Sequence, residues 1–278
     1  MSGLGASVVE RIRLPAVERA WSLKVTLVPS AVSSGSGADG FFLSSYVIDD
    51  TVAIDAGGVG LLGAVSDQAR IEHIFLTHSH IDHIASLPIF LENVFQSGDH
   101  CVTLHAGADT LDCLRRDIFN DRVWPDFIAM SEKGLPFVKL ETLHPHRPVS
   151  VAGLRFHPIP VNHVVPTFGF LVEAPGATVA IPSDTGPTDE FWILCDAATD
   201  LRAVFLEAAF PNEMEALAIA SKHLTPSMFA AERLKLKRQV PFIAVHIKQR
   251  FYDQIVEQLR NLNSPGIFIG KPGESYTY

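Results

Sequence analysis

Cysteine is scarce in this chain: Cys101, Cys113 and Cys195 are the only three among 278 residues, and they lie far apart. An odd number without C-x-x-C spacing excludes a disulfide framework and a thiolate metal site, and suits reduced thiols of a cytoplasmic protein. No run approaches the roughly 18 consecutive apolar residues of a membrane span. The opening MSGLGASVVERIRLPAVERAW places Glu10, Arg11 and Arg13 where a secretion signal has its apolar core. Positive charge is short as well. With 22 Lys+Arg against 31 Asp+Glu the formal net charge is -9, and the pI is near 5.7. That balance argues against a long nucleic acid or an anionic membrane as partner, but leaves room for a small anion if metal ions supply the positive field. Internal repeats and low-complexity tracts are absent too.

Apolar residues, by contrast, make up 47% of the chain, with a mean hydropathy of +0.20, so there is ample material for a core and no case for a disordered polymer. At roughly 150 residues per domain the length allows one large domain or two small ones. Residues 1–20 carry a weak helical pattern broken by Pro15 and read as an N-terminal arm, with the catalytic domain spanning 21–278. From Trp21 onward short β-rich runs dominate, at 23–28, 41–49, 51–56, 71–78, 101–106, 154–161, 168–175, 178–184, 202–210, 241–247 and 266–270. Apolar spacing near 3.6 predicts helices over 84–96, 108–119, 212–221, 225–237 and 251–262. Strands outnumber helices, and helices occur in both halves. Two sheets, each covered by helices, therefore fit better than one open parallel sheet.

Twelve histidines stand out, and several cluster in Thr77-His78-Ser79-His80-Ile81-Asp82-His83, where an apolar strand ends and an apolar helix begins. Two histidines two apart on extended chain project to one side. Asp82 and His83, arriving as the helix starts, can face the same space. His78 and His80 can then serve one cation and Asp82 and His83 a second. A solvated His-rich turn is not expected between two buried apolar elements. Two metals need further ligands, and His163, Asp184 and His246 each follow a β-rich run, where loops gather at one rim of the sheets. Asp184 can bridge two cations with its two carboxylate oxygens. His73, His100, His105, His144, His146 and His157 lack this placement and read as structural.

The pattern His78-x-His80-x-Asp82-His83 followed by a separate His, Asp and His resembles the metallo-β-lactamase superfamily of binuclear metallohydrolases. That resemblance implies an α+β fold, an αββα sandwich of two mixed sheets with helices on the outer faces and metals at one edge. It also implies that Asp55, in AIDAGG, orients the metal-binding loop. From about residue 23 onward the chain is similar, more narrowly, to the class II cyclic-nucleotide phosphodiesterases. The matching pieces are SSYVIDDTVAIDAG, HSHIDHIASL, IFNDRVWPDF, PSDTG, EAAFPNE, SKHLTP and VHIKQRFYDQI. Ile81 stands where Leu is usual, a trivial change, and Pro88 moves the helix start to near Ser86. The arm at 1–20 lies outside the resemblance.

The resemblance implies a phosphodiesterase hydrolysing 3',5'-cyclic nucleotides, cAMP or cGMP, to 5'-nucleotides by way of a hydroxide bridging two divalent metal ions. Zinc leads for an N/O-only ligand set, with Mn and Fe also suited. His223, in SKHLTP, is the expected proton donor to the departing oxygen, and Glu207 the carboxylate that fixes its tautomer. Thr225 is either a donor to a phosphate oxygen or the N-cap of the helix that follows. Lys248, two residues past His246, is placed to meet phosphate. The Gly/Ser loop 33–40 and the aromatic residues Phe119, Trp124 and Phe127 are candidates for gripping the nucleoside, with hairpin turn and helix packing as the plainer alternatives. A homodimer is the superfamily habit. Three rivals were weighed. A tRNA 3'-end endonuclease needs a basic surface and an RNA-binding arm that an acidic chain lacks. A thioester or lactone hydrolase does not require His223. A non-catalytic binding module predicts eroded ligands.

Overall fold

A computed structural model describes residues 22–29, 32–33, 39–40, 43–96, 98 and 101–278; the arm expected over 1–20 and most of the Gly/Ser loop lie outside them. In the first half of the chain the β-rich runs become β1 (Lys24–Leu27), β2 (Val32–Ser33), β3 (Asp39–Gly40), β4 (Tyr46–Ile48), β5 (Val52–Ile54), β6 (His73–Phe75), β7 (Val102–Ala106) and β8 (Val138–Thr142). The second half adds β9 (Val149–Val151), β10 (Leu154–Pro160), β11 (Phe168–Ala174), β12 (Ala177–Ser183), β13 (Leu201–Glu207), β14 (Phe242–Val245), β15 (Ile267–Ile269) and β16 (Ser275–Thr277).

These strands form two seven-stranded sheets, ordered β16-β1-β4-β5-β6-β7-β8 and β15-β14-β13-β12-β11-β10-β9, while β2 and β3 pair apart. Strands β5 to β8 run parallel, and so do β12 to β15, with antiparallel pairs completing each sheet. Parallel neighbours need crossovers, and helices supply most of them. Over the first sheet these are α1 (Val65–Gln68), α2 (Ile81–Ile84), α3 (Leu87–Val94), α4 (Ala108–Cys113) and α5 (Phe127–Glu132). Over the second they are α6 (Glu190–Ala197), α7 (Glu215–Ser221), α8 (Pro226–Lys235) and α9 (Tyr252–Asn261).

Period-2 alternation divides the core into three layers. Phe75 points between the sheets and stacks on Phe156 at 4.0 Å, joined there by Val25, Ile54, Phe170 and Phe205. Its neighbours Ile74 and Leu76 point outward, against Leu87, Phe90 and Leu91 of α3. On the far side Val204 and Leu206 pack against Phe191 and Trp192 of α6, Phe229 of α8 and Ile255 of α9. Both faces of each sheet are buried, which is why the central strands read as unbroken apolar runs. The result is the αββα sandwich.

Several local expectations need correction. Of the run 41–49 only Tyr46–Ile48 forms a strand; Phe41 and Phe42 lie outside the described residues. The helix expected over 84–96 is split into α2 and α3, and Pro88 sits in the first turn of α3, where it costs no hydrogen bond. The segment 108–119 holds α4 followed by a π-helical turn over Leu114–Ile118. Strands β2, β3, β8, β9 and β16 and helices α1, α5 and α6 lie outside the runs expected from the sequence. Phe119 and Phe127 are buried in the layer between the first sheet and its helices, with Trp124 packed against them, so this aromatic segment is core and not a nucleoside grip.

Candidate metal centre

The C-terminal ends of the parallel strands meet at one rim, and the polar residues gather there. Asp55 directly follows β5, His78 and His80 follow β6, Asp184 follows β12, Glu207 ends β13 and His246 follows β14. Asp55, Ser183, Lys222 and His246 adopt left-handed backbone angles, with φ of 61°, 61°, 54° and 51°. Such angles are strained for side chains with a Cβ and concentrate at functional sites. Asp55, Ser183 and His246 stand where strands β5, β12 and β14 end, and Lys222 caps the C-terminus of α7.

The loop carrying the four clustered ligands is fastened to the loop after β5. Ser44 N donates to the Asp82 carbonyl at 2.8 Å, and Ala56 N donates to the His83 carbonyl at 2.7 Å. Ser86 Oγ donates to the Ala56 carbonyl at 2.8 Å while accepting from Gly60 N at 2.9 Å. A Cβ on Gly57 would stand 2.0 Å from the Asp82 carbonyl oxygen, so only glycine permits this approach.

Each anchored histidine is held by its Nδ1–H. His83 donates to Asp55 Oδ2 at 2.6 Å, His163 to the Lys222 carbonyl at 3.1 Å and His78 to Thr77 Oγ1 at 2.9 Å. Thr77 Oγ1 lies 3.0 Å from each oxygen of Asp55, and Thr77 N donates to Oδ1 at 2.8 Å. These partners fix the tautomers and leave Nε2 lone pairs turned to the rim. His78 Nε2 and His163 Nε2 lie 3.0 and 3.2 Å from His80 Nδ1. His83 Nε2 is buried with no hydrogen-bond partner among the described residues, and His83 Nε2 and His246 Nε2 each stand 3.3 Å from Asp184 Oδ2. Asp82 Oδ2 is 3.7 Å from His246 Nε2 and 4.0 Å from His83 Nε2.

Three groups of donors result, each within 4.8 Å: His78, His80, His163 and Asp184; Asp82, His83, Asp184 and His246; and Asp184, Glu207 and His223. Asp184 belongs to all three. Burial holds His78, His80, His163 and His246 below the ordinary histidine value, His163 down to about 4 and His246 to about 3, so they are neutral near pH 7. Burial pushes His83 the same way, but Asp184 and Asp55 outweigh it and hold it well above its ordinary value. Converging lone pairs, a buried carboxylate and an orphaned Nε2 are what a cation would satisfy, so the donor set fits divalent metal.

Beside the shared carboxylate sits a buried pair. His223 Nδ1 donates to Glu207 Oε1 at 2.8 Å, and Glu207 accepts further from Thr185 N at 2.9 Å and Leu224 N at 3.1 Å. Burial lowers His223, but Glu207 and Asp184 more than offset it and raise its pKa; burial raises that of Glu207. Thr225 is fully buried and caps α8, accepting from Met228 N at 3.3 Å. Lys248 Nζ lies 3.6 Å from Asp82 Oδ2 and 3.5 Å from His246 Nε2. Sequence reasoning assigned no role to Thr77 or Lys222. Thr77 precedes the first histidine of the motif, but its hydroxyl bridge to Asp55 spans two strands and leaves no local signal.

An αββα sandwich with a His/Asp cluster at the rim of its sheets defines a metallohydrolase of the metallo-β-lactamase fold. The family model described as the beta-lactamase superfamily domain matches residues 60–247, and the chain belongs to that family. A Yersinia pestis protein named "Probable 3',5'-cyclic-nucleotide phosphodiesterase" is 27% identical over 290 residues, covering 84% of this chain and 83% of its own. Among solved structures, unliganded yeast PDE1 superposes with a TM-score of 0.73 at 16% identity, covering 91% of this chain and 98% of the other. The metallo-beta-lactamase fold protein YhfI from Bacillus subtilis gives 0.69 at 16% identity, with coverage of 92% and 99%. At those identities the structural likenesses speak to fold alone.

Proposed function

We propose that this metallohydrolase cleaves the phosphodiester of 3',5'-cyclic nucleotides, cAMP or cGMP, to give 5'-nucleotides. The observation that carries this reading is the His223–Glu207 pair, 2.8 Å apart and set against the shared Asp184. An alkoxide leaving group needs a proton, and a histidine whose pKa is raised holds one near neutral pH. The similarity to the Yersinia pestis protein over most of both chains supports the same substrate class.

His78, His80 and His163 would hold one divalent ion and Asp82, His83 and His246 a second, with Asp184 between them. Zinc is the proposed ion, and Mn and Fe suit the same N/O donors. When bound, such ions supply positive charge to phosphoryl oxygens and lower the pKa of a coordinated water. The remaining work falls to the chain. Asp55 and Thr77 hold His83 and His78 in one orientation, so no reorganisation is needed when substrate arrives. Glu207 accepts the His223 Nδ1–H and leaves the Nε2 proton for the substrate. A water oxygen would form the new bond to phosphorus and give up a proton to solvent; as the P–O3' bond breaks, His223 would pass its proton to O3', and the phosphate stays on O5', whose bond is not broken. Lys248 adds a cation at the mouth, beside Asp82.

Purified protein is expected to carry about two metal ions per chain and to convert cAMP or cGMP to the 5'-monophosphate. Asp184→Asn should lower metal occupancy in elemental analysis. His223→Ala should keep the metals and lose turnover about 100-fold or more, as general acids are worth roughly 10²–10⁴. Fully metallated protein that cleaves precursor tRNA rapidly and neither cyclic nucleotide would overturn the reading.

A further inference from the structure

β15 is the end strand of the second sheet, and among the described residues it pairs with β14 alone. Phe242 N donates to the Gly266 carbonyl at 2.8 Å, and Gly270 N to the Ala244 carbonyl at 2.9 Å. In a parallel ladder alternate residues bond to the same neighbour, so the backbone groups of Gly266, Phe268 and Gly270 face β14. Those of Ile267 and Ile269 therefore point the other way, to an edge that no described strand covers. Arg233 Nη2 donates to the Pro265 carbonyl at 2.6 Å and fastens α8 to the turn before this edge. The edge is thus held in shape before anything meets it.

Two hollows of about 730 and 630 Å³ flank the edge and share Pro265 and Phe268. Phe268 is 54% exposed, and Leu234, in the second hollow, is 82% exposed. Arg260 and Lys271 line the first hollow, Lys237 and Arg238 the second. None of these four has an ion-pair partner among the described residues. Glu232 is held by Lys235 at 2.8 Å, and Glu274, in the first hollow, accepts from Tyr276 Oη at 2.7 Å. In a chain of net charge -9 this is a local excess of cations. Charges at a sheet edge also ward off stray strands, but such guards project from the strand itself. β15 reads Ile-Phe-Ile and carries neither charge nor proline.

We propose that this edge takes an extended acidic segment of another protein, added as a further strand beside β15. The segment's backbone pairs with Ile267 and Ile269, its apolar side chains pack on Phe268 and Leu234, and its carboxylates meet the four cations. In strand addition of this kind main-chain bonds give affinity, and the hollows beside the strand give specificity. A second copy of this chain fits poorly, because a two-fold contact would set the cations against themselves. A nucleic acid or an anionic membrane would meet the cations but leave the backbone of Ile267 and Ile269 unpaired. No candidate metal ligand lines either hollow, so the proposal does not depend on which diester is cleaved.

A displayed library of random decapeptides is selected on full-length protein, and the selected peptide is then measured by fluorescence polarisation. Selection is expected to enrich Asp and Glu alternating with apolar residues. Arg260→Glu with Lys271→Glu, and Lys237→Glu with Arg238→Glu, should each weaken binding about 10-fold or more. All four positions are exposed, so melting temperatures should stay within about 2 °C of wild type. N-methylation of alternate peptide amides removes ladder donors and leaves the charge. One of its two phases should cost about 10-fold and the other little. Hydrogen exchange should slow at the amides of Ile267 and Ile269 when the peptide is bound. A selection without acidic peptides, equal binding by both charge-reversed variants, or indifference to both methylation phases overturns the proposal. Tighter binding of phosphatidylserine vesicles or a short RNA than of any selected peptide overturns it too, as does self-association that the same substitutions abolish.

Discussion

At the scale of single residues, the rim shows how one hydrogen bond decides what a histidine can do. His78, His83 and His163 each spend Nδ1 on a protein acceptor and keep Nε2 for the cluster. His105, elsewhere in the sandwich, makes the contrast. It stacks on Phe75 at 4.3 Å, its Nε2 lies 3.1 Å from His73 Nδ1, and its own Nδ1 is buried without a partner among the described residues. Burial, reinforced by His73, pushes its pKa down from 6.5 to about 4. Between those values the unfolded chain binds a proton that the folded one refuses, so this residue favours the fold above pH 6.5 and the benefit disappears as pH falls toward 4. The loss is worth up to about 3 kcal/mol. His105→Gln should show a shallower fall in urea midpoint between pH 7 and pH 4.5 than wild type; identical slopes would refute the assignment.

What was readable in the sequence at this scale was which side chains gather at the rim, because His163, Asp184, His246 and the His78–His83 motif each follow a β-rich run and strand ends converge. What was not readable was partnership. Lys222 holds His163 from both sides, accepting its Nδ1–H and donating Nζ to its carbonyl at 2.9 Å, across 59 residues of sequence.

Among elements, the loops after β5 and β6 behave as one unit. Backbone bonds through Ala56 and Ser86, joined by Ser44 from the segment before β4, hold the start of α2, and Gly57 lets the strands' ends close. Gly57→Ala would drive a methyl into the Asp82 carbonyl, so we expect the protein to lose both stability and metal affinity. The stability loss should be about 3 kcal/mol or more, the range for overpacking compounded by a displaced backbone bond. Thermal melts and a metal titration read the two together; a variant with wild-type melting and metal content would show the approach to be slack. Central strands such as β13 and β14 were legible because both faces are buried. The edges were not. β8 and β9 end their sheets, and β8 reads VKLET, with only Val138 fully buried. Helix α6 hid for the opposite reason: EFWILC is apolar nearly all round, so no period marks it. Aromatics at 119–127 carry the same pattern whether they face a base or a core, and here the core claimed them.

Across the whole molecule, the candidate ligands come from both sheets: His78, His80, Asp82 and His83 from the first, His163, Asp184 and His246 from the second. Ions held there would tie one sheet to the other and favour the folded state by mass action. At a free metal concentration about 100-fold above Kd the gain is about 2.7 kcal/mol, so removal by chelator should lower the melting temperature by about 5–10 °C. Melting unchanged by complete removal of metal would place the ions outside the cluster.

The strand order carries a consequence for how this chain becomes a protein. β1 lies between β4 and β16, and Thr26 meets Ser275 across 249 residues of sequence. Throughout synthesis one side of β1 must therefore wait, its backbone groups unpaired, until nearly everything else has emerged. Closing so long a loop comes late and slowly, and an unpaired sheet edge recruits other strands in the meantime. Among the described strands, Ser275–Thr277 is then the last to reach its neighbour, at an edge of β1 that all the other strands have left open.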